Sequence, residues 1–201
     1  MFFHDLPATG PESKAYGVPF IHNLFPIECD IVGKLYSLSI EAFGSNGKSE
    51  WHSSSYWTHR VQGALSDVGK KEGLVVVPSR ERGTDKFQAS WLLDLVWLEA
   101  PPQSNEHPFD WRSFRGLRMA CTCAWGETET AILENFLKLM VVVADLRVLV
   151  YTNRLIKTEA GMIHPADLCK KTCLLSRGFR FLLVGFPTNA NGQVRIDAWI
   201  A

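Results

Sequence analysis

The chain has 201 residues, a length that one hydrophobic core can organise, so a single domain is expected. Its 21 Lys and Arg residues balance 21 Asp and Glu residues. No overall field therefore points to nucleic acid or to a membrane surface, although a local basic groove is compatible with this balance. Five cysteines, an odd number, and an amino terminus without a signal-peptide pattern predict reduced thiols in a cytoplasmic protein. The longest apolar run, residues 139–144, is too short to span a bilayer, so no membrane partner is expected.

The first quarter of the chain predicts an arm followed by helices. Residues 1–28 contain four prolines and no periodicity, which is typical of an irregular segment. Apolar spacing predicts a short helix over residues 31–43, and we expect residues 1–47 to pack on a core formed by residues 48–201. A second helix is predicted over residues 51–68, with Ser49 as its N-cap and Glu50 near its positive end.

The remaining elements predict an α/β domain. Val-rich residues 74–77 and the apolar runs 91–98 and 116–124 are predicted strands. Apolar residues at spacings of three and four predict a helix from Thr128 to about Val143, and a strand follows at 146–151. This strand–helix–strand order indicates a parallel crossover. A helix over 164–175 and strands over 179–186 and 194–200 complete one central mixed sheet flanked by helices.

One acid stands out within this pattern. Asp94 lies in the apolar run 91–98, and a strand that is buried on both faces carries a carboxylate only where that group is paired, binds a metal or faces a cleft. Asp94 is therefore the first candidate for a functional side chain.

The order of elements around Asp94, with its local phrases, resembles the restriction-endonuclease-like, or PD-(D/E)XK, nuclease superfamily. The phrases are Leu93-Asp-Leu-Val-Trp97, Ala124-Trp-Gly126, Asn135-Phe-Leu-Lys-Leu139 and Asp145-Leu-Arg-Val-Leu-Val-Tyr151, and the resemblance covers residues 48–186. It implies a Mg²⁺-dependent nuclease site with Asp94 as the metal ligand. It also implies a supporting Glu on the first helix, matched by Glu50 and next by Glu41, and a catalytic Lys138 facing the site.

The motif on the next strand departs from the family. Where the family places two acids, or an acid and a Lys, before an aromatic residue, this chain has Thr122, Cys123 and Ala124 before Trp125. Thr and Ala supply no anionic ligand, and thiolates bind Mg²⁺ poorly. Glu99 lies too far along the strand to replace them, and capping a helix is the expected role of Glu127 and Glu129.

Two functions follow from these residues. One is a nuclease-family protein with an eroded metal site that acts in nucleic-acid processes or defence, with an active Mg²⁺ enzyme using rearranged ligands as a variant. The other is a non-catalytic binding or assembly module with a protein partner or a second copy of the chain. Basic residues near the central strands are candidates for a nucleic-acid groove: Arg80, Arg82, Lys86, Arg112, Arg115 and Arg118. Solvated turns explain the same residues.

Cysteines and histidines offer weaker alternatives. Cys121 and Cys123 share one face of a strand, and Cys169 and Cys173 share one face of a helix, so four thiols would suffice for zinc, although buried structural cysteines are the expected outcome. No local pattern supports a Cys–His nucleophile. Lys138 has a second interpretation as the partner of Glu134, four residues earlier on the same helix.

Overall fold

A six-stranded mixed sheet forms the centre of the protein. The computed structural model describes residues 24–43, 53–79, 93–99, 115–126, 128–173, 178–187 and 194–200. In chain order the elements are α1 (Pro26–Phe43), α2 (Ser54–Lys71), β1 (Val75–Pro78), β2 (Leu95–Glu99), β3 (Gly116–Ala124), α3 (Glu129–Met140), β4 (Ala144–Thr152), β5 (Ile156–Thr158), β6 (Gly161–Ile163), α4 (Pro165–Thr172), β7 (Arg180–Phe186) and β8 (Arg195–Ile200).

The strand order of the sheet is β1-β2-β3-β4-β7-β8. β5 pairs with β6 in a separate hairpin, and one isolated parallel bridge joins Lys157 of β5 to Thr128. Strands β3, β4 and β7 are parallel, whereas β1, β2 and β8 join through antiparallel pairs. The predicted α/β class with a mixed sheet is therefore confirmed, and so is the β3–α3–β4 crossover.

Alternating side chains of the sheet build two apolar cores. Cys121, Cys123 and Val148 face a core that contains the buried side of α1 and α2. Leu149 and Tyr151 face a second core, with buried residues of α3 and α4. The central strands are buried on both faces because each face carries its own helix layer, which is why they read as continuous apolar runs.

Several predicted boundaries were wrong. Helix α1 begins at Pro26 rather than at residue 31, and the N-cap of α2 is Ser53, whose hydroxyl accepts a hydrogen bond from the amide of Tyr56, rather than Ser49. Strand β2 begins at Leu95, so Asp94 lies just before the strand instead of within it. The β5–β6 hairpin was not predicted, because strands of three residues are too short to show a period.

A glycine lets α2 lie close to the sheet. A Cβ atom on Gly69 would come within 2.7 Å of the indole nitrogen of Trp97 on β2. Only hydrogen fits there, so Gly69 fixes how closely the helix approaches the strand that follows Asp94.

A buried ion pair fastens α1 to the sheet. Glu28 is 1% exposed and accepts hydrogen bonds from Arg180 on β7, at 2.7 Å through Nε and 2.6 Å through Nη2. Its carboxylate also accepts from the amide of Phe25 at 2.9 Å, and the guanidinium of Arg180 lies 5.0 Å from the centre of the Phe25 ring. The arrangement satisfies the buried carboxylate of Glu28 and the largely buried guanidinium of Arg180, which a single neutral partner would not do.

We expect Glu28→Ala to destabilise the protein by about 3–5 kcal/mol, because it leaves the Arg180 guanidinium buried without its carboxylate. Urea unfolding followed by circular dichroism measures the change. Asp30→Ala is the matched control, since Asp30 lies on the same helix but forms its ion pair with Lys71 at the surface. A loss for Glu28→Ala no larger than for the control would show that the buried pair contributes nothing.

Candidate functional site

The backbone of Asp94 is held by both neighbouring strands and by α2. Its amide donates to the carbonyl of Cys121 at 2.9 Å. Its carbonyl accepts from the amide of Ser79 at 2.8 Å and from the side-chain amide of Gln62 at 2.7 Å. Gln62 is itself buried and also donates to the hydroxyl of Ser79, so α2 fixes the position of this residue relative to the sheet.

The carboxylate of Asp94 accepts a backbone hydrogen bond from β3 beyond the point where β2 pairs with it. Its Oδ2 accepts a hydrogen bond from the amide of Cys123 at 2.6 Å, next to the end where β2 stops pairing with β3. A buried amide without an acceptor costs about 1–3 kcal/mol, so the side chain stabilises the end of β3. Burial raises the pKa of Asp94, while the hydrogen bond from Cys123 and the positive charge of Lys138 act in the opposite direction.

Lys138 and two neutral side chains complete a polar group that we call the Asp94 cluster: Asp94, Thr122, Asn135 and Lys138. The ammonium of Lys138 donates to Asn135 Oδ1 at 3.1 Å, and the hydroxyl of Thr122 donates to the Asn135 carbonyl at 3.2 Å. Among the ion pairs of the described residues there is none between Lys138 and Glu134, so the surface-pair interpretation was wrong. Lys138 is therefore held by Asn135, and its positive charge acts on the pKa of Asp94.

The side chains that surround Asp94 in the described part of the chain do not provide the oxygen ligands that Mg²⁺ requires. Thr122 and Ala124 lie on the α3 side of β3 and are fully buried, and neither carries a carboxylate. One oxygen of Asp94 already accepts from a backbone amide, and the nearby ammonium of Lys138 would repel a cation. Within the described ranges, no three His, Cys, Asp or Glu side chains are placed to hold one ion.

Two other acids of the described structure, Glu99 and Glu41, have partners elsewhere, and Glu99 was expected to lie too far along the strand. Glu99 is at the opposite end of β2, where Arg118 lies 3.9 Å from its carboxylate. Glu41 forms an ion pair with Arg60 of α2. Glu50 and Glu127 lie outside the described residues.

Of the six basic residues predicted for a nucleic-acid groove, the structure describes two, Arg115 and Arg118. Arg115 and Arg118 are exposed at the start of β3, and four residues of extended strand put Arg118 about 13 Å from Thr122. Arg118 forms an ion pair with Asp145 at 2.6 Å. Arg80, Arg82, Lys86 and Arg112 lie outside the described residues.

The cysteines are divided between the two faces of the sheet. Cys121 and Cys123 belong to the core beneath α1 and α2, whereas Cys169 and Cys173 belong to the core beneath α3 and α4. A single zinc site of four thiols is therefore excluded by the strand layer between them. A hydrogen bond with Cys121, followed by burial, raises the pKa of Cys123, and burial raises the pKa of Cys169. Thiols with raised pKa values are poor nucleophiles at neutral pH, which argues against a Cys–His catalyst.

A groove of about 880 Å³ between α1 and α2 could not be read from the sequence, because it arises only when the helices pair. Its charged lining residues have both signs, and Arg60 pairs with Glu41 across it. The lining includes Gly33, Lys34, Tyr36, Ser37, Glu41, His59, Arg60, Gln62, Gly63, Asp67 and Lys70.

No family model, curated protein or solved structure matches this chain. The arguments for function therefore come from the residues and from the site geometry. In the described part of the chain, no helix is long and apolar enough to cross a membrane.

We expect Asp94→Ala to destabilise the protein by about 1–3 kcal/mol, because the Cys123 amide loses its acceptor inside the sheet. Asp94→Asn keeps a carbonyl oxygen as the acceptor and should be far less harmful. Native Asp94, with its raised pKa, retains a proton at pH values where the unfolded chain, with a pKa of about 3.9, has released it. The unfolding free energy of the wild type should therefore fall relative to that of Asp94→Asn as the pH rises through this window.

Urea unfolding of the wild type and both variants, at several pH values from 3.5 to 7.5, measures these differences. Equal stability of Asp94→Ala and Asp94→Asn would remove the structural role assigned to the carboxylate.

Proposed function

We propose that this chain is a divergent protein of the restriction-endonuclease-like type that binds nucleic acid and does not cleave it with Mg²⁺. The observation that carries the proposal is the Asp94 cluster, in which the carboxylate that the family uses for metal accepts a hydrogen bond from the backbone of the neighbouring strand.

The order of elements supports the family part of the proposal. A helix, a short strand, a strand preceded by Asp94, a further strand, a helix and a parallel strand follow one another as α2, β1, β2, β3, α3 and β4. Lys138, which the resemblance assigns to the site, lies on α3, and its positive charge acts on the pKa of Asp94. Both observations support the family part of the proposal.

The chemistry of the cluster favours binding over cleavage. Hydrolysis with magnesium requires carboxylates that hold the ion and activate water. At the positions where the family has its metal-binding acids, this chain has Thr122, which donates to the carbonyl of Asn135, and Ala124, which packs in the apolar core. The ammonium of Lys138 replaces the metal as the positive charge near Asp94, and it would also attract a phosphate that approached α3.

We expect the wild type to shift labelled single- and double-stranded DNA and RNA in anisotropy titrations, with affinity that falls as salt rises, and to leave every strand intact in the presence of Mg²⁺ or Mn²⁺. Lys138→Met should weaken binding several-fold, because it removes the cation of the cluster without removing the packed alkyl stem. Lys157→Met is the matched control, since Lys157 is an exposed lysine on β5.

Two results would contradict the proposal. Cleavage that requires Mg²⁺ and is lost in Asp94→Asn would identify an active nuclease with rearranged ligands. No binding to any of the four nucleic acids would remove the nucleic-acid partner.

A second candidate is a protein-binding module, favoured by exposed apolar residues at the end of α3. Val141 is 77% exposed and Val143 is 81% exposed, and Leu137 lies one helical turn before Val141. Association through this surface predicts a concentration-dependent mass in light scattering that Val141→Glu abolishes. The second candidate would be wrong if the protein stayed monomeric at all concentrations and this surface captured no protein partner. The nucleic-acid proposal would then be the one that remains.

A further inference from the structure

His164 uses both nitrogens of its ring in hydrogen bonds. Its Nδ1 accepts from the amide of Ala166 at 3.2 Å and thereby caps α4. Its Nε2 lies 2.5 Å from Oδ1 of Asn153. Because an amide oxygen can only accept and Nδ1 is already an acceptor, Nε2 carries the proton and the ring is neutral.

These two bonds close the base of the β5–β6 hairpin. Asn153 directly follows β4 and His164 directly precedes α4, so their contact joins the two ends of the segment that contains the hairpin. We call the Asn153–His164–Ala166 hydrogen bonds the hairpin clasp. Two apolar side chains of this segment, Leu155 and Met162, are more than half exposed, whereas Ile156 is buried in the core beneath α3 and α4. Ile156 therefore anchors β5 on the core, and the clasp holds the base of the hairpin, where the segment leaves β4 and enters α4.

Charged groups from two elements face the ring. Arg195 of β8 and Lys170 of α4 oppose its protonation, whereas Asp167 and Asp197 favour it. The acids are already engaged, because Arg195 binds Asp167 at 3.0 Å and Asp197 at 2.8 Å, and Lys170 binds Asp197 at 2.6 Å. From β4, Tyr151 meets the imidazole edge to face, with ring centres 5.8 Å apart, and adds no charge at neutral pH.

We propose that the hairpin clasp is a proton-sensitive latch that releases the β5–β6 hairpin and the first turn of α4 in mild acid. A proton on Nδ1 of His164 removes the acceptor of the Ala166 amide. The N–H of the ring then faces the N–H of Ala166, and the two repel each other. The ring then turns away from one or both partners, which frees the base of the hairpin. This device is independent of the Asp94 cluster, which lies at β2 and β3.

The direction of the response follows from the native pKa of His164, which burial and then the charge of Arg195 lower. The unfolded or released histidine has a pKa of about 6.5 and takes up a proton first. The clasp is therefore fully formed above about pH 6.5 and loses stability as the pH falls from there toward the lowered native pKa.

Hydrogen exchange followed by mass spectrometry tests the latch at pH 7.5 and 5.5, after correction for the intrinsic pH dependence of exchange. Peptides that cover residues 153–173 should lose protection at pH 5.5 relative to peptides from β3 and β4. The expected change is about fivefold, the factor that corresponds to the loss of one helix N-cap.

Two variants decide the assignment to His164. His164→Asn keeps a side-chain oxygen that can cap α4 but cannot titrate, so its protection should not change between the two pH values. His59→Asn removes an exposed histidine of α2 and should respond like the wild type. The same relative protection at both pH values in the wild type would overturn the latch. An undiminished response in His164→Asn would do so as well. If His164→Asn fails to fold, which its β3 and β4 peptides report, the wild-type comparison decides alone.

Discussion

A buried guanidinium closes the crossover on which the sheet is built. Arg147 of β4 is 1% exposed and donates to the carbonyls of Leu139, Val142 and Ala144 at distances of 2.5–3.0 Å. Its guanidinium also lies 3.8 Å from the centre of the Phe179 ring. Burial lowers the pKa of Arg147, and carbonyls at the negative end of α3 supply the compensation that a carboxylate would otherwise give.

The closed turn sets how α3 lies across β3. Arg147 binds the carbonyl of Leu139, and Lys138 is the residue just before Leu139. The backbone position of Lys138 is therefore fixed relative to the turn. Asn135, one turn earlier, meets both Lys138 and Thr122. The geometry of the Asp94 cluster thus depends on how the crossover packs. A substitution of Arg147 would shift α3, and with it Asn135 and Lys138, although Arg147 does not contact the cluster.

The sequence predicted correctly those elements that carry many apolar residues. It failed where a single contact determines a helix boundary or the role of a side chain. Strand β3 was predicted at its observed bounds, and the β3–α3–β4 order predicted its parallel pairing. The N-cap of α2 was misplaced because Ser49 and Ser53 both suit a cap in the sequence, and the structure uses Ser53. The groove between α1 and α2 depends on pairing between distant segments, which no local pattern reports. The division of the cysteine pairs between opposite faces follows from the same long-range pairing.

The acid at position 94 was predicted from its chemistry, but its main contact was not. A carboxylate in an apolar run indicates a ligand site only if no protein donor meets it, and here the amide of Cys123 does so at 2.6 Å. An Asp there stabilises the end of β3 whether or not a second acid follows. The sheet therefore depends on Asp94 whatever residues occupy positions 122 and 124. The presence of an acid at position 94 is by itself weak evidence for catalysis.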